Sequence, residues 1–298
     1  VNYCGGTPER ADLGEWASQA LKNGLDQFTW YAQDALDTNP EIFNEAFEIS
    51  RQVAKMPRLK IPKNTSTAIY FSDYDRWGLN EGGTHPTYTT YALLGEHLGS
   101  WFRFVSKNQF DLTGIKQLYI PRMRYSDPEL TKKILDFARN GGTLVIFDPT
   151  FLTYNIDGSS IAERDQVIGS KLVKKTGASM SLKYGKNTLP LAQVRHISTE
   201  ENGSLHAFDF VKLPAGAKVL ATYQDGKPAI IEKSFGKGKV IFSAVQPFGT
   251  SDAAIAPGGW KAFVADRARA VNEKCNLDIW YFQLPEVKEK HFNLTAFK

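Results

Sequence analysis

Hydrophobic positions along this chain keep two rhythms, and the clearer one lies between residues 117 and 147. Residues 118–120 form a short apolar run stopped by Pro121. Asp127-Pro128 then has the form of an N-cap followed by proline at the first helical position. Leu130, Ile134, Leu135 and Ala138 fall on one face of the helix that follows. Gly141-Gly142 is suited to end that helix through a left-handed cap, and residues 143–147 start a second buried strand. Two buried strands joined by a helix of this length predict a right-handed βαβ unit in a parallel sheet.

The same alternation extends over the middle of the chain. Strands are expected at 67–72, 101–105, 116–120 and 143–147, with helices at 87–98 and 162–175, the latter ending at Gly177. This order predicts an α/β fold with an open, mainly parallel sheet. Upstream, PRLKIPKN at 57–64 is a proline- and lysine-rich connector and a natural boundary. Residues 1–57 predict a helix at 13–22, a strand at 24–31 and a helix at 40–56. The last has Asn39 as N-cap, Pro40 at its first position and Ile42, Phe43, Ala46, Ile49 and Val53 as its apolar face. One strand and two helices cannot cover their own apolar surface, so this piece must pack on something else. After residue 180 the rhythm shortens. Runs at 218–224 and 228–233 flank Asp225-Gly226 as a hairpin with a two-residue turn, and Gly236-Lys237-Gly238 turns the chain into 239–245. A helix at 258–274 and a strand at 278–284 are expected to open a further β module.

Composition narrows the function classes. The formal net charge of +4 is 36 basic minus 32 acidic side chains, and the basic residues are scattered. Neither nucleic acid nor an anionic membrane surface is implied. No apolar run approaches the roughly 20 residues of a membrane span. Cys4 and Cys275 are too far apart in sequence to indicate a disulfide framework or a metal spacing. His85, His97, His196, His206 and His291 have no partners at ligand spacing, which argues against a zinc site. The Gly236-Lys237-Gly238 triplet is too short for a phosphate loop. No cofactor is indicated. The chain begins at Val1, which is the form of a processed or truncated start. The 6 Trp, 12 Tyr and 19 Phe mostly serve cores, although such a surplus also suits stacking on sugar rings.

Three passages carry a resemblance to glycoside hydrolase family 42, the β-galactosidases with a trimerisation domain. GLDQFTWYAQD, residues 24–34, is similar to the eighth βα unit of a (β/α)8 barrel. DLTGIKQLYIPRMRYSDPELTKKILDFARNGGTLVIF, residues 111–147, resembles the core of a flavodoxin-like, class I glutamine amidotransferase-like domain. GKPAIIEKSFGKGKVIFSAVQPF, residues 226–248, resembles its closing hairpin. The resemblance implies a terminal barrel unit at 1–57, an amidotransferase-like trimerisation domain at 65–250, and a helix plus the start of a further β module at 258–298. It also implies a retaining parent hydrolase with two glutamates at the ends of barrel strands four and seven. Neither is present; Glu9 and Glu15 look like exposed helix-start acids. The amidotransferase triad is missing too. The nucleophile elbow holds Asp148-Pro149-Thr150, and SAVQPF at 243–248 offers no histidine or glutamate.

The expected role is therefore assembly and sugar-pocket completion. The implied partners are a β-galactoside or related carbohydrate and further copies in a homo-oligomer, and carbohydrate chemistry favours a secreted or periplasmic location. Trp30 and Tyr31 end the eighth barrel strand, where a sugar pocket would lie, with core packing an equal alternative. Asp73, Asp75 and Trp77 follow the first strand of the second domain, where carboxylates beside an indole suit sugar hydroxyls and a ring face, or else form a capped surface loop. Arg122 and Arg124 sit at another strand end and are expected to pair with Asp73 or Asp75, or to reach an interface carboxylate. Two other readings stay open: a stand-alone carbohydrate-binding or oligomerisation module, and a divergent hydrolase using Asp148 or Asp73.

Overall fold

The structure, a computed structural model, describes residues 13, 39–55, 65–78, 85–94, 102–176, 181–191, 206–247 and 258–272. Its contacts divide the chain into two compact units, residues 1–63 with 276–298, and residues 64–275. Trp30, Tyr31 and the strands expected at 24–31 and 278–284 lie outside the described residues.

In the first unit the helix α1 (Pro40–Lys55) starts where the Asn39-Pro40 pair predicts. The Asn39 side-chain oxygen accepts from the Ile42 N–H at 3.4 Å and its carbonyl from the Phe43 N–H at 3.0 Å. Ile42, Ala46 and Ile49 are buried as expected, together with Glu45. Phe43 is exposed. At about 100° per residue it stands on the flank of the buried stripe, not on its axis.

The second unit runs β1 (Thr67–Tyr70), α2 (Asp73–Gly78), α3 (His85–Ala92), β2 (Phe102–Val105), β3 (Gln117–Ile120), β4 (Tyr125–Ser126), α4 (Pro128–Arg139), β5 (Thr143–Ile146), β6 (Tyr154–Asn155), α5 (Glu163–Ile168) and β7 (Leu172–Lys174). It continues with β8 (Ser181–Tyr184), β9 (Asn187–Pro190), β10 (Phe208–Phe210), β11 (Lys218–Thr222), β12 (Pro228–Phe235), β13 (Gly238–Ser243) and α6 (Gly258–Ala270). A nine-stranded sheet has the order β2-β1-β3-β5-β13-β12-β11-β8-β9. The first five strands pair in parallel and the remaining pairings are antiparallel. Only β12 and β8 therefore run against the other seven, in keeping with a mainly co-directional α/β sheet.

Alternate side chains of the central strands feed two cores. Ala68, Tyr70, Leu118, Ile120, Leu144 and Ile146 meet Leu130, Ile134, Leu135 and Ala138 of α4 on one face. Ile69, Tyr119, Val145 and Ile241 join Trp260, Phe263 and Val264 of α6 on the other. Trp260 is fully buried, 5.7 Å from the Phe147 ring, and its indole N–H donates to the Pro190 carbonyl at 2.7 Å. The helix α6, grouped from sequence with the residues after it, thus packs on the sheet beside β9.

The α4 signals act as predicted. Asp127 is the N-cap and its carboxylate accepts from the Leu130 N–H at 2.9 Å. Gly141 adopts φ +116° and the Gly142 N–H donates to the Phe137 carbonyl at 2.9 Å. Two other expectations need correction. The helix expected over 162–175 stops at Ile168, because Gly169 turns left-handed at φ +77° and residues 172–174 pair with β10 instead. The hairpin near Asp225-Gly226 has a three-residue loop: the Tyr223 N–H donates to the Lys227 carbonyl at 2.9 Å, and Gly226 takes φ +85°. The two-residue turn is the next one, Gly236-Lys237, closed by pairing of Phe235 with Gly238. A Cβ on Gly238 would lie 2.1 Å from the Gly142 carbonyl oxygen, so glycine is what lets this hairpin tip approach the end of α4. Among the described residues no helix is long and apolar enough to cross a membrane.

Candidate functional site

In this sheet β1 lies between β2 and β3, so successive connections leave β1 in opposite directions. Such a switch point is where open α/β sheets form a ligand crevice, outside the carboxyl ends of the strands. Four segments converge there: Ser72 and Asp75 after β1, residues 121–124 after β3, Asp148 and Thr150 after β5, and Gln246 after β13.

Asp75 is fully buried. Its carboxylate accepts from the Ser72 hydroxyl at 2.5 Å and from the Arg124 backbone N–H at 2.9 and 3.1 Å. The Asp75 N–H in turn donates to the Ser72 oxygen at 3.2 Å, a helix cap on α2. The Arg122 Nε lies 3.9 Å from the same carboxylate, and its Nη1 donates to the Gln246 side-chain oxygen at 2.5 Å. Arg122 is only 5% exposed. Burial, helped by the nearby Asp148 charge, pushes the Asp75 carboxyl up to about 6, against the opposing effects of Arg122, Ser72 and the Arg124 amide.

Asp148 is also fully buried and its bonds are equally committed. One oxygen accepts from the Met123 N–H at 2.8 Å; the other accepts from the Thr150 N–H at 2.8 Å and hydroxyl at 2.6 Å. Beside it, Arg164 donates to the carbonyls of Phe151 at 3.0 Å and Pro149 at 2.9 Å. A third clamp joins α2, the turn after β2 and the cap of α4: the Tyr74 hydroxyl donates to Asp127 at 2.8 Å, and Lys107 pairs with Asp127 at 2.9 Å while contacting the Tyr74 hydroxyl. Burial opposes ionisation of Asp127, but the Leu130 amide, Lys107 and Tyr74 outweigh it and hold the carboxyl down at about 2.

Chemically, these carboxylates hold loops. Their oxygens accept from main-chain amides, hydroxyls and the Lys107 ammonium of this chain. The segment after β5 carries Asp148-Pro149-Thr150, with no cysteine or serine nucleophile at that turn. Of the residues singled out from sequence, Asp75 and Arg122 are brought together, whereas Asp73 is partly exposed at the start of α2. Trp77, on the same short helix, is 79% exposed with the Arg76 guanidinium 5.7 Å from its ring centre. Sequence reasoning missed Ser72, Thr150 and Gln246. Ser72 was detectable, because Ser-x-x-Asp ahead of a helix is a capping signal. Gln246 had no local signal, since its partner lies 124 positions away.

The sequence profile described as the β-galactosidase trimerisation domain matches residues 66–262. No curated protein matches the chain in sequence. Among solved structures it is similar to the β-galactosidase of Bacillus circulans sp. alkalophilus, with 18% identity and a TM-score of 0.55, over 78% of this chain and 35% of that one. The cold-adapted β-galactosidase of Rahnella sp. R3 gives 19% identity and a TM-score of 0.52, over 79% and 35%. A β-galactosidase from the Antarctic haloarchaeon Halorubrum lacusprofundi gives 15% and 0.51, over 76% and 34%. The chain spans about a third of the length of these proteins, and at such identities the likeness speaks for the fold alone. The profile match, by contrast, takes in well over half of the residues, and through it the chain belongs to the β-galactosidase trimerisation domain family.

Proposed function

We propose that this chain is the C-terminal portion of a retaining, β-galactosidase-like glycoside hydrolase and serves in subunit assembly and in completing a sugar pocket, while bond cleavage belongs to a glutamate pair it does not contain. The match of residues 66–262 to a trimerisation domain carries the reading. The carboxyl edge supports it: Asp75 and Asp148 are consumed in holding loops together, so the turn that would seat an amidotransferase nucleophile is structural. The parallel order β2-β1-β3-β5-β13 favours a flavodoxin-like, amidotransferase-like identity for residues 65–250. The one-sided burial of α1 favours residues 1–57 as the last βα unit of a (β/α)8 barrel, with Trp30 and Tyr31 as its sugar contacts. Residues 258–298 then comprise a helix and the start of a β module. Asp75 and Arg122 act on any sugar only indirectly, by fixing α2.

Sedimentation of the purified chain over a wide concentration range, together with a chromogenic β-galactoside assay, tests this. The expected result is self-association without saturable turnover. A chain that stays monomeric throughout, or saturable turnover by the chain alone, would overturn it; turnover lost on replacing Asp73 or Asp148 would point to a divergent hydrolase using those residues.

A further inference from the structure

Three short elements, α2, β4 and β6, neighbour one another in a ridge beside the carboxyl edge. The helix α2 packs against β4, and the two are tied by the Arg124 amide on Asp75. The strand β4 pairs with β6 in parallel, placing Tyr125 opposite Tyr154, and their rings stack 5.8 Å apart with 29° between planes. The Arg124 guanidinium lies 5.8 Å from the Tyr125 ring centre and 5.4 Å from that of Tyr154. Directly after β6, the Ile156 N–H donates to the Ser126 carbonyl at 3.0 Å and its side chain is 60% exposed. With Trp77 on α2 and Arg76 against it, Trp77 and Ile156 stand exposed and the Arg124–Tyr125–Tyr154 stack is half-buried, all above buried, fully bonded carboxylates.

Single exposed apolar side chains are ordinary. A connected group of tryptophan, tyrosine and arginine has a different meaning, because these residues dominate the energetics of protein interfaces. The rigid base lowers the ordering cost of engaging a partner. We infer that Trp77, Ile156 and the Arg124–Tyr125–Tyr154 stack form the surface through which one copy of this chain grips a second copy. This rests on the assembly role proposed above, and the occupant follows from it: a domain of a trimerisation family meets other copies of itself.

The test is sedimentation equilibrium on the full chain and on Trp77→Ala, Ile156→Asp and a control, Val211→Asp, whose side chain is equally open (62%) but lies next to β10. Circular dichroism verifies that each is folded, and Trp77→Phe provides a milder change at the same position. Trp77→Ala and Ile156→Asp are each expected to weaken association about thirtyfold or more, as for an interface hot spot. Val211→Asp should leave it unchanged. An oligomer whose dissociation constant ignores both ridge substitutions overturns this surface and leaves the assembly role standing. A wild-type chain that never associates overturns both. A galactoside-dependent change in tryptophan fluorescence that Trp77→Phe abolishes, with association unaffected, overturns the proposal in favour of a sugar platform.

Discussion

Replacing Asp127 by alanine removes the cap of α4 and the acidic centre of the Tyr74–Lys107 clamp in one step. Two routes give the cost. Loss of an N-cap aspartate is worth about 1–2 kcal/mol. The carboxyl also ionises at about 2 in the fold against an ordinary 3.8. Nearly two pH units correspond to about 2 kcal/mol. The side chain is only 11% exposed, so solvent screening removes little of this. Both routes describe largely the same bonds and agree on about 2 kcal/mol. The pH signature follows from the sign: a depressed folded value means the contribution is complete above about pH 4 and is lost as pH falls through about 2. Urea unfolding of wild type and Asp127→Ala at pH 7 and at several points down to pH 2.5 measures it. The difference should be near 2 kcal/mol at neutrality and shrink on acidification. Asp127→Asn, which keeps a competent cap, should lose less at pH 7. A neutral-pH difference below about 0.5 kcal/mol, or one indifferent to pH, would refute the reasoning from the clamp.

Asp75 should show the opposite slope. Its folded value of about 6 exceeds the ordinary 3.8, so its stabilising contribution is full at low pH and is lost as pH rises through 6, by up to about 3 kcal/mol. Urea titrations of Asp75→Asn between pH 4 and 7 should show that part of the slope flattened. Gly238→Ala should destabilise by about 3 kcal/mol or more, since the new methyl meets carbonyl oxygens of Gly142 and Ala138 at 2.1 and 2.4 Å. Gly226→Ala, with left-handed φ but open space around it, should cost only about 1–2 kcal/mol in the same denaturation assay.

What was legible in the sequence was local. Asp127-Pro128, Gly141-Gly142 and Asn39-Pro40 each act within one helical turn, and α4 and α1 begin or end where those pairs place them. Residues 162–175 misled for the converse reason. Val167, Ile168, Leu172 and Val173 suit a longer helix, but the strand at 208–210 captures residues 172–174. The site divided in the same way. Finding Asp75 and Arg122 at neighbouring strand ends needed only the strand order. Their burial depended on the amide of Arg124 and on Gln246, which only the folded sheet brings within reach.

The Asp75 clamp grips residue 124 by its main chain, not by its side chain. Any amino acid except proline brings that amide, so the position can change identity without loosening what lies beneath it. The half-buried guanidinium lies 5.8 and 5.4 Å from the two tyrosine ring centres, so a substitution there would alter the aromatic stack while the amide that the clamp holds stays in place.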